Sequence, residues 1–267
     1  MTPEHTHLIY FSPTGTTRRI LEPMARAMGC ECPVVVDITS SQVRNAPAPE
    51  FTNDLVILGA PVYAGRLPAQ AVDYFKTLKA RNTPVVLVVL YGNREFEDAL
   101  LEMKTLAVES GFSPLAAAAF IGEHSFSSED LPIAPGRPDD ADLERARELG
   151  RQVKSILDGI PSADELSDLP LPGNIPFKEG MAPIPFSAIQ VSEDCTGCGV
   201  CMEVCPVDAV DAGENYVPVA NQCIMCCACI KACPEQARAI AQGPFTDKAQ
   251  WLADNCAQRK EPEIFLP

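Results

Sequence analysis

The first 158 residues alternate between unbroken apolar runs and stretches of mixed polarity. THLIYF at 6–11, PVVVD at 33–37, DLVILGA at 54–60, PVVLVVLY at 84–91 and LAAAAFI at 115–121 carry Val, Ile, Leu and Ala on successive positions. A strand with one wet face alternates apolar and polar residues. Runs that are apolar throughout predict strands covered on both faces, as in a parallel sheet. The intervening segments at 16–28, 68–80, 95–110 and 139–158 read as helices, with Asp139 as the cap of the last. Five strands with crossover helices predict a doubly wound α/β domain.

The texture then changes. Prolines 161, 170, 172, 176, 183 and 185 make residues 159–187 an extended linker, stiffer than a Gly/Ser chain, lying along the first domain. Residues 188–243 form a second, cysteine-rich domain. Residues 244–267 read as a short helix and an apolar tail whose Ile264, Phe265 and Leu266 dock back on the first domain.

Nine of the twelve cysteines lie between 195 and 233. CTGCGVCMEVCP (195–206) and CIMCCACIKACP (223–234) share one frame, C-x2-C-x2-C-x3-C-P, 28 residues apart. Cys195, Cys198, Cys201 and Cys205 align with Cys223, Cys226, Cys229 and Cys233, and Cys227 falls opposite Gly199, outside the frame. This is the run that holds bacterial iron–sulfur clusters, in which the fourth cysteine reaches the cluster of the other repeat. One [4Fe–4S] cluster is therefore expected on Cys195, Cys198, Cys201 and Cys233, and a second on Cys223, Cys226, Cys229 and Cys205. A zinc ribbon needs only two C-x2-C pairs and leaves four spaced cysteines unexplained. Disulfides belong to small secreted chains. Residues 188–242 resemble a bacterial 2[4Fe–4S] ferredoxin along their whole length, which implies a small α+β ferredoxin-like fold.

Charge narrows the partners. The chain carries a net charge of −15: residues 1–158 hold 15 basic and 21 acidic groups, the remainder 6 and 15. The denser negative charge of the smaller part disfavours nucleic acid and suits docking on a basic face of a redox protein. The start, MTPEHTHLIYF, has no basic region or long apolar core of a leader, and no apolar run reaches membrane-spanning length. A cytoplasmic location is expected, with Cys30, Cys32 and Cys256 as reduced structural thiols. Exposed clusters are oxygen-labile, so the chemistry points to an anaerobe.

YFSPTGTTRR (10–19) joins the first strand to the first helix. Ser12, Thr14, Thr16 and Thr17 surround Gly15, and no lysine stands where a nucleotide P-loop requires one. Hydroxyls and free backbone N–H groups at a helix start suit a terminal phosphate monoester, with Gly15 leaving room for the phosphate to approach the backbone. The stretch resembles the FMN-phosphate loop of flavodoxins. That resemblance extends to GAPVYAGRLP (59–68), implying flavin contacts from Pro61, Val62, Tyr63, Ala64 and Gly65, with Tyr63 stacked on the ring. It extends also to YGNREFEDAL (91–100), implying contacts from Tyr91, Gly92, Asn93 and Arg94. Both loops follow strands at one sheet edge, where doubly wound folds bind ligands.

In IGEHSF (121–126), His124 is the one catalytic candidate, as a proton donor near neutral pH or as a structural histidine. Arg137, before the last helix, reads as structural.

The whole chain resembles the flavodoxin–ferredoxin fusion proteins of anaerobes. That implies a flavodoxin-like domain with a five-stranded parallel sheet holding FMN, followed by a two-cluster ferredoxin domain. The implied function is electron transfer, since a flavin exchanges one or two electrons and each cluster one. The alternative is an FMN-dependent reductase of a small molecule fed by the ferredoxin domain. No G-x-G-x-x-G opens a helix, so the donor and acceptor are expected to be redox proteins. The cluster nearest the flavin is supplied either by docked domains or by a neighbouring subunit in a homodimer.

Overall fold

The computed structural model describes all residues, 1–267. In chain order the first domain comprises β1 (Thr6–Tyr10), α1 (Thr16–Ala27), β2 (Val34–Asp37), α2 (Ser41–Arg44), β3 (Glu50–Thr52), β4 (Leu55–Pro61), α3 (Ala69–Phe75), β5 (Lys79–Arg81), β6 (Thr83–Tyr91), α4 (Ala99–Glu109), β7 (Phe112–Ile121) and α5 (Asp140–Gly159). Strands β2, β1, β4, β6 and β7 lie side by side and parallel. The apolar runs bury both faces. Val85, Leu87 and Val89 of β6 pack with α3 and α4, while Val86, Val88 and Leu90 pack with α1 and α5. Alternate side chains of one strand thus enter two separate cores, which is why the run carries no polar interruption.

Two helices are shorter than their sequence span. Helix α3 stops at Phe75 because residues 79–81 are drawn into a small parallel ladder with β3. Helix α4 starts at Ala99 instead of 95. Asn93 and Glu97 take left-handed backbone conformations, and Asp98 spends its carboxylate on the linker N–H groups of Asn174 (2.9 Å) and Lys178 (2.7 Å). The linker is held along the first domain by these bonds, by buried Leu169, and by Lys104–Asp168 at 2.6 Å.

The second domain contains β8 (Ile189–Val191), α6 (Val200–Glu203), α7 (Ala228–Lys231) and β9 (Arg238–Ile240); α8 (Pro244–Asn255) and β10 (Glu263–Phe265) follow. Strands β8 and β9 pair antiparallel, and the short helices α6 and α7 occupy equivalent places in the two repeats. The tail docks as a strand: β10 pairs antiparallel with β7, Ile264 opposite Ala118, giving the parallel sheet a sixth, antiparallel edge. Arg137 is buried, chelates Asp142 with two donors and reaches the Lys260 carbonyl, while Arg259 bonds Asp139, the cap of α5. No helix is long and apolar enough to cross a membrane.

Candidate flavin cavity and cysteine sites

The loops after β1, β4, β6 and β7 enclose a cavity of about 440 Å³. Ser12, Thr14, Thr16 and Thr17 form one end. Pro61, Val62, Tyr63 and Ala64 form a second wall, with Tyr91, Gly92, Arg94 and His124 on the third. At the start of α1 Gly15 has φ 78, and the helix has no side-chain cap. The Ser12 hydroxyl accepts the Arg18 N–H and keeps its own O–H to donate, and the backbone N–H groups of Thr14, Thr16 and Thr17 find no acceptor in the chain. The Thr17 hydroxyl is fully buried and also unpartnered. A buried hydroxyl rarely stays unpaired, and together with three free N–H groups at a helix start it fits a phosphate. A Cβ on Gly15 would meet nothing within 4 Å. No protein atom therefore constrains that position; the left-handed backbone does, in addition to the room a phosphate would need.

Two further positions differ from expectation. Asn93 does not face the cavity: its carboxamide donates to the Cys256 (2.6 Å) and Gln258 (2.8 Å) carbonyls and accepts from the Lys260 N–H, fastening the tail. Gly65 lies behind the wall, where a Cβ would stand 1.7 Å from Glu97 Oε2. Glu97 in turn clamps Arg94 through two bonds of 3.0 and 2.9 Å. Gly92 is required by His124, whose ring would lie 2.2 Å from an added Cβ.

His124 is neutral at physiological pH. Burial, followed by the positive charges of Arg94, Lys231 and Lys248, lowers its pKa to about 4. Its Nδ1 accepts the Phe126 N–H at 3.0 Å, so the ring proton sits on Nε2. Of the two expected roles, the proton donor near neutral pH gives way to a neutral, hydrogen-bonded imidazole. Because the imidazole takes up its proton more readily unfolded than folded, it destabilises the fold as pH falls below about 6.5. Between pH 7 and pH 5 the cost specific to His124 is about 2 kcal/mol. At fixed cofactor content, the denaturation midpoint of His124→Asn is expected to fall less than the parent's over that interval. Parallel falls in both proteins would contradict it.

A further wall comes from the rest of the chain, and local sequence reading misses it. Ile224 and Met225, between Cys223 and Cys226, line the cavity, as do Phe245, Lys248 and Leu252 of α8. Phe126 packs edge-on against Phe245 at 5.9 Å. Lys231 of α7 holds Glu123 at 2.6 Å and the Ser127 carbonyl at 2.8 Å, and Arg44 bonds the Pro206 carbonyl. Burial, and after it the nearby Cys226, Cys227 and Cys223, push the Tyr63 phenol well above the usual tyrosine range. The only sequence signal for this wall was a departure from the repeat. Met225 and Cys227 take left-handed φ values of 51 and 58, where the first repeat has Gly197 (70) and Gly199 (81). Non-glycine residues in that region are strained. Here their side chains are buried, Met225 against the cavity.

The cysteines fall into two groups. Cys195, Cys198, Cys201 and Cys233 line one cavity, together with Tyr216 and Arg238. Cys205, Cys223, Cys226 and Cys229 line another, with Cys227 and Val210. The fourth cysteine of each repeat therefore joins the other repeat's three. Each set surrounds a space instead of converging on a point: no three His, Cys, Asp or Glu side chains stand close enough to hold a single ion. The Ala209 N–H donates to Cys205 Sγ (3.3 Å) and the Met225 N–H to Cys223 Sγ (3.5 Å), contacts that suit thiolates bound to a cluster. Burial raises the Cys227 thiol well above its ordinary value.

Residues 7–125 match the family model of the flavodoxin domain, and residues 188–211 that of the 4Fe–4S binding domain. Among solved structures, a flavodoxin from the domain Archaea shares 12% identity over 58% of this chain and 99% of its own, with a TM-score of 0.36. Flavodoxin 2 from Bacillus cereus shares 15% over 57% and 99% (TM-score 0.40). A Fusobacterium nucleatum flavodoxin bound to flavin mononucleotide shares 13% over 58% and 97% (TM-score 0.37). No curated protein matches the chain.

Proposed function

We propose that this chain, which joins a flavodoxin domain to a 4Fe–4S ferredoxin-type domain, relays electrons between two [4Fe–4S] clusters and a bound FMN. Cys195, Cys198, Cys201 and Cys233 hold the first cluster; Cys223, Cys226, Cys229 and Cys205 hold the second. Ser12 and the N–H groups of Thr14, Thr16 and Thr17 hold the FMN phosphate, with Tyr63 and Ala64 on one side of the ring and Tyr91 and Gly92 on another. Bound flavin exchanges one or two electrons and each cluster one, so their union converts between the two kinds of transfer.

The observation that carries the reading is the shared wall. Ile224 and Met225 belong to the loop of the second cluster and line the same cavity as the phosphate loop. Tyr63, from the flavin side, faces Cys226 and Cys227. The second cluster is then the inner one, and the docked domains of one chain supply it without a second subunit. The first cluster is the outer one: Cys198 is exposed, and residues 188–230 carry six carboxylates and no lysine or arginine. A redox partner with a basic face fits that surface.

The test is a stopped-flow reduction with a strong one-electron donor. The flavin is expected to bleach in a phase whose rate does not depend on protein concentration. Cys226→Ala, which removes the inner cluster, is expected to abolish that phase, leaving a bimolecular one. A flavin rate proportional to protein concentration in both forms would sink the relay.

The roof over the cavity favours a second reading, an FMN-dependent reductase of a small molecule. Phe126, Phe245, Lys248 and Leu252 close over a space whose walls include Arg94 and neutral His124, as an enclosed binding site requires. Saturable oxidation of the reduced protein by a small molecule, lost in a Lys248→Ala variant that still reduces a protein acceptor, distinguishes the two.

A further inference from the structure

Arg238 is buried to 4% exposure at the start of β9. Its Nη1 donates to the Tyr216 carbonyl at 2.8 Å, while Nε and Nη2 are buried with no partner. A buried guanidinium with two unused donor nitrogens is costly unless something anionic stands beside it. What stands there is cysteine. Arg238 lines the cavity formed by Cys195, Cys198, Cys201 and Cys233. Its charge reaches Cys201 in that set, and Cys223 and Cys229 in the other.

The repeat shows that this turn does not by itself require a charge. The 28-residue offset places Arg238 opposite Val210, which is buried and lines the second cavity. The turns leading to the two residues match, with Asp208 at φ 51 and Gln236 at φ 52. The same position in the same turn accepts an apolar side chain in one repeat and carries a guanidinium in the other.

We propose that Arg238 is a built-in counter-charge between the two cluster sites, donating N–H groups to cluster sulfurs and raising both reduction potentials; this rests on the two-cluster reading above. Taking up one electron from a low-potential donor adds one negative charge to a cluster. A fixed positive charge in a poorly screened interior, together with N–H···S bonds, stabilises the reduced form more than the oxidised one. No proton need move, because arginine keeps its charge throughout. With Val210 at the matching place, the charge comes from one repeat only, so a single side chain sets the poise of the pair.

The experiment uses the full chain purified without oxygen, with iron and sulfide analysis followed by potentiometric titration read by electron paramagnetic resonance. Arg238→Gln removes the charge and Arg238→Lys keeps it. Parent and both variants are expected to hold about eight irons. Poised at the parent's midpoint, the glutamine variant is expected to show at least a ten-fold lower ratio of reduced to oxidised cluster, 59 mV for a one-electron couple. The lysine variant should fall between it and the parent. An unchanged ratio in the glutamine variant, or a lysine variant as low as glutamine, overturns the proposal. Should the glutamine variant lose iron, the parent chain with ¹⁵N-labelled arginine decides. Pulsed resonance of its reduced form is expected to show hyperfine coupling to a guanidinium nitrogen, and absence of that coupling overturns the proposal. About four irons in the parent would instead bring down the two-cluster reading.

Discussion

Cys227→Ser is expected to leave the iron and sulfide of the anaerobically purified chain at about eight each, while Cys226→Ser lowers both. The two cysteines are adjacent and both buried, so exposure does not separate them. The frame does: Cys227 occupies the place of Gly199, and both residues begin a short helix in the left-handed conformation. Cys226 occupies the place of Cys198. The grouping of side chains adds Cys205 to the second set and Cys233 to the first, so Cys205→Ser is expected to damage the cluster held by the other repeat's loop. Elemental analysis with electron paramagnetic resonance of the reduced protein checks this. Iron lost from the Cys227 variant, or a Cys205 variant that keeps full iron, would refute the ligand sets.

The second large effect is at Gly15. Gly15→Val and Gly15→Ala are both expected to lose FMN, valine more than alanine. An added Cβ meets no atom of the chain within 4 Å, so the protein itself does not exclude alanine. The φ of 78 penalises any L side chain by about 1–3 kcal/mol, and a branched one most. Relaxing that angle turns the Thr16 and Thr17 N–H groups away from the phosphate. Affinity is expected to fall about 10- to 100-fold for alanine and further for valine, read by flavin fluorescence on titration into stripped protein. The extracted cofactor should be FMN and not FAD, because the unpaired donors at Thr14, Thr16 and Thr17 suit a terminal dianion. Full flavin in the alanine variant would refute the conformational account.

Some of this was legible in the chain because it is written locally. The five parallel strands were readable because a strand buried on both faces admits no polar position over its length, a constraint on consecutive residues. The cluster frame was readable because ligand spacing within a loop is fixed by the loop's own reach. The free N–H groups at the start of α1 were readable because the donors at a helix start come from three or four successive residues.

What the tertiary structure decided are meetings between segments far apart in sequence. Asn93 belongs to a loop that resembles a flavin-facing one, yet a docked tail some 165 residues away claims its carboxamide. The sequence leaves His124 open between a proton donor and a structural histidine, and burial with three cations from three separate segments lowers its pKa to about 4. Which cluster lies inward was unreadable, since the repeats share one frame. The proposal that the second set lies inward rests on Ile224 and Met225, which line the large cavity, and on Tyr63, which lies near Cys226 and Cys227. The physical reason is common to all three. Backbone conformation and ligand reach act over a few residues and leave periodic marks, whereas burial, charge neighbourhood and domain docking depend on side chains brought together only once the chain has folded.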